Sequence, residues 1–212
     1  VLFLRSAPPA PPPSRFSPKL ALERYGAILA NPRARALFAF VFVEGIAVFG
    51  IFPYVAPILE GRRAGGPFEA GLAISSFAIG GLLYSAMVAF LLRFLGLRWM
   101  LAVGGACAAF ALVVLGLPLP WWVYGAAMAV LGTGFYMMHN SFQTQVTEVM
   151  PSARASAVAL HAFSYFGGQS LGPVLVGLGL AAIGQPATMV LCALAALAVG
   201  LTAAAVLSRP SP

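Results

Sequence analysis

The chain has 212 residues, of which 61% are hydrophobic and only 8% are charged, against roughly 25% charged in an ordinary soluble domain. So few charges cannot cover a water-facing surface, and the mean hydropathy of +0.94 excludes a soluble enzyme. The net charge of +7 would suit nucleic acid only if Lys and Arg clustered on a polar face; no such face exists, so no nucleic-acid partner is expected.

In lipid only helices and closed barrels satisfy their own backbone hydrogen bonds. Barrel strands alternate apolar and polar residues in segments of about ten. The apolar runs here are about twice as long and rich in Ala, Leu, Val and Gly, which predicts helices. Cys107 and Cys192 lie inside such runs with no metal-type spacing, and each reads as a small core residue. No metal and no cofactor is expected.

The chain begins at Val1 rather than Met, so its natural start is expected upstream. Val1 to Leu4 is too short for the apolar core of a signal peptide and reads as the last turn of a preceding helix. Pro8, Pro9, Pro11, Pro12, Pro13 and Pro18 make the next stretch an extended linker. Residues 19–30, with Leu20, Leu22, Tyr25, Ile28 and Leu29 among Lys19, Glu23 and Arg24, predict a short amphipathic helix at the membrane surface. Residues 1–35 thus read as a cytoplasmic linker, 36–208 as a transmembrane bundle and 209–212 as a cytoplasmic tail.

Six apolar spans follow, each near the ~20 residues a bilayer requires: 36–59, 69–92, 99–117, 121–146, 155–183 and 187–207. Short loops join them. With the N-terminal tail in the cytoplasm, Arg5, Arg15, Lys19, Arg24, Arg33, Arg35, Arg93, Arg98, Arg154 and Arg209 fall inside; only Arg62 and Arg63 fall outside. That split follows the positive-inside rule and predicts six helices with both termini cytoplasmic, in the cell (inner) membrane. An internal echo pairs Gly80-Gly81 of the second span with Gly167-Gly168 of the fifth, as two inverted three-helix repeats would.

Glu44 is the only acid well inside a span, nine residues beyond Arg35, or about 13 Å deep at 1.5 Å per residue. His139, nine residues before Glu148, and His161, seven beyond Arg154, fall in the same layer. Burying an ionisable group in a membrane is costly, so such a residue marks a candidate site. Glu44 reads as a proton carrier or a partner for a substrate cation; the alternative is a protonated acid bonded to a neighbouring helix. In the fourth span Tyr136, His139, Asn140, Gln143 and Thr147 share an arc of roughly 100°. Five polar residues on one stripe favour a water-accessible cavity over simple interhelical bonding. Gln145 lies off the stripe and is expected to reach the headgroups. The fifth span repeats the theme with His161, Tyr165 and Gln169, and its Gly168, Gly172, Pro173 and Gly177 predict close helix contact. Phe49, Phe52, Tyr54, Phe77 and Tyr84 are candidate aromatic walls.

The chain contains no Asp, which excludes an aspartyl protease and a Ser-His-Asp triad. His161 and Ser164 leave a six-helix intramembrane serine hydrolase as an alternative, though the chain lacks a Gly-x-Ser-x-Gly elbow. No Gly-x-x-x-x-Gly-Lys phosphate loop is present, so ATP is not the expected driver.

Residues 24–32 (RYGAILANP), 93–98 (RFLGLR), 148–155 (EVMPSARA) and 168–173 (GQSLGP), in this order and spacing, resemble segments of the major facilitator superfamily, nearest its drug and metabolite efflux branch. Residues 24–32 resemble the end of its central loop, 93–98 its eighth-to-ninth loop, and the last two its tenth-to-eleventh loop and eleventh helix. The resemblance implies the C-terminal half of a twelve-helix transporter whose N-terminal six-helix half is missing. Arg93 to Arg98 lacks the aspartate of the N-terminal counterpart, in keeping with that assignment. It further implies alternating access by two rocking bundles, with the first and fourth spans facing the cavity, the second and fifth forming much of the bundle interface, and the third and sixth peripheral. The expected function is proton-coupled efflux of a small organic molecule. The expected partners are the lipid bilayer, that molecule and protons. The expected substrate-binding residues are Glu44, Tyr136, His139, Asn140, Gln143, His161, Tyr165 and Gln169, with Glu44 carrying the proton. Rival readings are a natural six-helix protein that dimerises, the serine hydrolase, and a non-transporting scaffold, which would leave the polar stripe without a purpose.

Overall fold

The structure is a computed structural model that describes residues 17–149 and 151–208. The expected leading scrap, most of the proline-rich linker and the 209–212 tail lie outside the described residues. Among these, every regular element is helical: α1 (Pro18–Ala30), α2 (Pro32–Phe49), α3 (Val55–Gly61), α4 (Pro67–Leu115), α5 (Trp121–Val149) and α6 (Arg154–Leu207).

Proline and capping residues punctuate the chain. Ser17 caps α1 by accepting from the Leu20 amide at 3.4 Å, with Pro18 in the first turn. Asn31 separates α1 from α2: its side-chain oxygen accepts from the amides of Arg33 and Ala34, and Pro32 follows in the first helical turn. The first span, expected unbroken over 36–59, is interrupted. Pro53 has no amide to give, and a 3-10 turn over Phe52–Tyr54 separates α2 from α3. At the start of α4 the Gly66 amide donates to Glu69 at 2.8 Å.

The second and third spans, and the fifth and sixth, differ more from expectation. No loop separates them; α4 and α6 run through, and only Gly96 (φ 63°, ψ 176°) and Gly184 (φ 78°, ψ 170°) leave helical geometry. That region is essentially open to glycine alone. The break folds α4 back on itself. A Cβ on Gly80, before it, would meet Ala129 and Thr133 of α5; one on Gly104, after it, would meet Gly134. A straight helix would hold those two glycines about 36 Å apart. Likewise Gly179 faces Thr188 across the Gly184 break.

The helices meet where side chains are absent. Gly45 of α2 lies on the Tyr165 carbonyl of α6, and Gly168 of α6 lies on the Phe42 carbonyl of α2. The same reciprocal pattern joins α4 to α5: Gly132 lies on the Phe77 carbonyl and Gly80 on the Ala129 carbonyl. Gly80 and Gly168 therefore play matching parts, one residue off the register of the sequence echo. In the second half of α4, Gly105 meets Gly200 of α6.

Two polar belts tie the ends. At one, Asn31 donates to the Val149 carbonyl at 3.4 Å, while Arg33 donates to Gln145 at 2.7 Å and to the Leu207 carbonyl at 2.9 Å. Gln145, expected to reach the headgroups, joins α5 to α2 through Arg33. At the other, Arg62 donates to the Leu117 carbonyl, to Tyr124 and to Gln185, and Gln185 donates to the Leu115 carbonyl and to Tyr124. Large apolar side chains such as Leu82, Phe110, Phe163, Leu178 and Leu194 point outward, which suits a surface solvated by acyl chains.

Replacing Gly168 or Gly132 by Ala sets a Cβ against a backbone carbonyl. Each change is expected to destabilise the fold by about 1–3 kcal/mol. Gly71→Ala, with nothing within 4 Å of the new Cβ, is expected to leave the melting temperature in detergent unchanged or slightly raised. Equal melting of all three variants would show that the glycine contacts do not hold the helices.

Candidate functional site

Glu44 precedes Gly45, at the close α2–α6 approach, and reaches across to α5. Glu44 is completely buried, and its Oε2 lies 2.8 Å from His139 Nδ1. Its other oxygen, Oε1, has no hydrogen-bond partner among the described residues. The His139 ring stacks on Phe135 at 4.8 Å between centroids, with Tyr165 at 4.5 Å and His161 at 5.4 Å. Its second nitrogen, Nε2, is 3.2 Å from the side-chain nitrogen of Gln143. An amide N–H can donate to Nε2 only if the imidazole carries its proton on Nδ1. In the arrangement observed, Nδ1–H therefore donates to Glu44 and Nε2 accepts from Gln143.

Above this pair lies a cavity of about 700 Å³ between α5 and α6, lined by His139, Asn140, Gln143, Thr144, Thr147, His161 and Tyr165 together with apolar Val146, Val158, Ala162 and Phe166. A second cavity of about 480 Å³ lies on another side of α5, where Tyr84, Ser85 and Gln145 join Asn140 and Thr144. Asn140 and Thr144 border both. His161 is only 3% exposed, yet neither of its ring nitrogens has a partner among the described residues.

The eight residues expected at the site divide accordingly. His139, Asn140, Gln143, His161 and Tyr165 line the larger cavity. Glu44 does not; it is sealed behind His139. Tyr136 turns toward α4, its ring stacked on Tyr84 at 6.4 Å and set against Gly81. Gln169 is half-buried where α6 crosses Gly45, away from the cavity lining. Sequence periodicity missed Thr144 and Phe166. Thr144 stands one turn beyond Asn140 and was visible as a polar residue at the edge of the stripe, whereas nothing in the sequence distinguishes Phe166 from a lipid-facing aromatic. Of the expected aromatic walls, Tyr84 lines the second cavity, whereas Phe49, Phe52 and Phe77 interlock with Phe135 as a packed floor. Tyr54 donates to the Pro173 carbonyl at 2.7 Å.

Ser170 donates to the Phe166 carbonyl of its own helix, and among the described residues His161 bonds no serine.

No curated protein matches the chain. A family model described as Major Facilitator Superfamily matches residues 1–173, a stretch that takes in Glu44, the whole of α5 and the part of α6 that lines the cavity. With most of its length covered by that model, this membrane-embedded chain belongs to the major facilitator superfamily, a family of transporters.

Proposed function

We propose that the chain takes part in secondary active transport of a small organic molecule by alternating access, with export driven by protons entering in exchange. The observation that carries this reading is the pairing of a completely buried Glu44 with His139, which lines a cavity together with uncharged hydrogen-bonding groups. One added or removed proton changes the net charge of that pair by a full unit in a medium that screens it weakly. Binding in the cavity above is therefore sensitive to that proton. Glu44 is the proton carrier in this proposal; Asn140, Gln143, His161 and Tyr165 contact the substrate.

The architecture proposed with it is six membrane crossings in two inverted three-helix units, forming one half of a twelve-helix transporter whose other half supplies the facing wall. Three helical stretches, Pro32–Gly61, Pro67–Leu115 and Pro151–Leu207, are long and apolar enough to cross a bilayer. The last two are far longer than the ~20 residues one crossing needs and fold back at Gly96 and Gly184. The reciprocal glycine–carbonyl contacts of α2 with α6 and of α4 with α5 have the pairing that inverted repeats require. In this reading Arg33, Arg35, Arg93, Arg98 and Arg154 lie on the cytoplasmic side, and Arg62 and Arg63 on the opposite side, of an inner membrane. The amphipathic α1 then lies along the cytoplasmic surface.

Two measurements test this. Single cysteines at Arg35, Arg93 and Arg154, with Cys107 and Cys192 replaced by Ala, are expected to react with an impermeant maleimide only after permeabilisation. Cysteines at Arg63 and Pro118 are expected to react in intact cells; the same labelling pattern at all five positions would reject the six-crossing topology. In the full-length protein, Glu44→Gln is expected to abolish the pH dependence of transport, and unaltered transport at every pH would reject the coupling role.

A further inference from the structure

Of the Glu44–His139 pair only His139 lines the cavity, and its outer nitrogen is held by a second lining side chain, Gln143. Glu44 is completely buried and does not line the cavity. Its polar contact is His139 Nδ1, and the opposite nitrogen of the same ring meets the Gln143 amide at 3.2 Å. Gln143 is itself exposed and forms part of the cavity wall. Its amide has two ends of opposite hydrogen-bonding character, and the end turned toward His139 decides which end faces the cavity.

Resting on the coupling role of Glu44, we propose that Gln143 reports the protonation of Glu44 to the substrate by inverting its amide. With Glu44 ionised, His139 Nδ1–H donates to Oε2, Nε2 accepts from the Gln143 NH2, and the Gln143 carbonyl faces the cavity. When a proton enters from the cavity, His139 Nε2 takes it as Nδ1 passes its own proton to Glu44 Oε2. One proton is gained, the imidazole stays neutral, and its tautomer is exchanged. Glu44 O–H now donates to Nδ1 across the same contact. Nε2–H now needs an acceptor, which the inverted Gln143 supplies through its carbonyl, so the NH2 group faces the cavity.

The cavity wall thus presents an acceptor in the deprotonated state and a donor in the protonated one. A substrate exchanged for protons must bind the deprotonated state better, so the inference assigns it to molecules that donate hydrogen bonds, such as amines or polyols, over bare acceptors. The other titratable groups packed around the pair are Tyr136 on α5 and His161 and Tyr165 on α6, with Tyr84 of α4 behind Tyr136. None of these bridges Nε2 to the cavity as Gln143 does.

The test is a pH titration of the full-length protein in detergent, read by nitrogen NMR with labelled histidine and glutamine side chains. The His139 signals are assigned by His139→Phe and the Gln143 amide by Gln143→Met. As the pH falls, His139 is expected to pass from the Nδ1–H to the Nε2–H tautomer. The Gln143 amide signal should shift over the same pH interval, while those of Gln145, Gln169 and Gln185 stay constant. Glu44→Gln should abolish both movements. A Gln143 signal that stays constant while His139 changes tautomer would overturn the amide inversion and leave the coupling reading intact. If neither moves at any pH at which the protein remains folded, both fall. Gln143 is exposed, so the Met substitution is expected to fold, and Gln143→Asn provides a second variant in which the amide is retained but withdrawn by one methylene.

Discussion

Two apolar helices surrounded by acyl chains gain little from touching each other, since lipid is as apolar as their own side chains. What holds them is contact close enough for dispersion and backbone polarity to matter, and glycine permits that approach. In this chain the decisive approaches are Gly45 and Gly168 against facing carbonyls of α6 and α2, and Gly80 and Gly132 against those of α5 and α4. The polar site lies beside the first of these contacts. Glu44 precedes Gly45, Tyr165 supplies the carbonyl on which Gly45 rests, and His161 stands one turn earlier on the same helix. From this position on α2, Glu44 reaches His139 of α5 at 2.8 Å.

The ends of the bundle solve a different problem. A helix leaves its terminal carbonyls without intrahelical partners, and near hydrocarbon each needs a donor. Asn31 and Arg33 supply donors to the last turns of α5 and α6, and Arg62 and Gln185 supply them to the end of α4. Because each donor belongs to another helix, capping also sets the spacing between helices at that end. Arg62 and Gln185 share Tyr124, whose side chain is fully buried, so the belt extends inward to the start of α5.

Between the belts, polarity is confined to a narrow region. α5 is absent from the stretches apolar and long enough to count as membrane spans by composition, and it carries most of the polar residues that line the larger cavity. The aromatic floor of Phe49, Phe52, Phe77 and Phe135 lies on the far side of His139. The imidazole is thus held in one plane by stacking, with its two nitrogens directed at Glu44 and Gln143.

The helical class, the membrane environment, the polar stripe of α5 and the common depth of Glu44, His139 and His161 were legible in the sequence. Each depends on composition or on the 3.6-residue period, and both are local properties of the chain. The single-glycine breaks at Gly96 and Gly184 were not legible as such, because a short basic or polar segment between apolar runs reads as a loop whether the backbone unwinds or turns at one residue. Tyr136 shows the limit of periodicity most clearly. It lies in the middle of the predicted arc, yet packs on Gly81 because the neighbouring helix leaves room there. Likewise the sequence placed Glu44 in the right layer but not behind His139. Depth follows from counting residues along one helix; which side chain seals another from the cavity depends on how three helices are rotated about their own axes, and only their packing decides that.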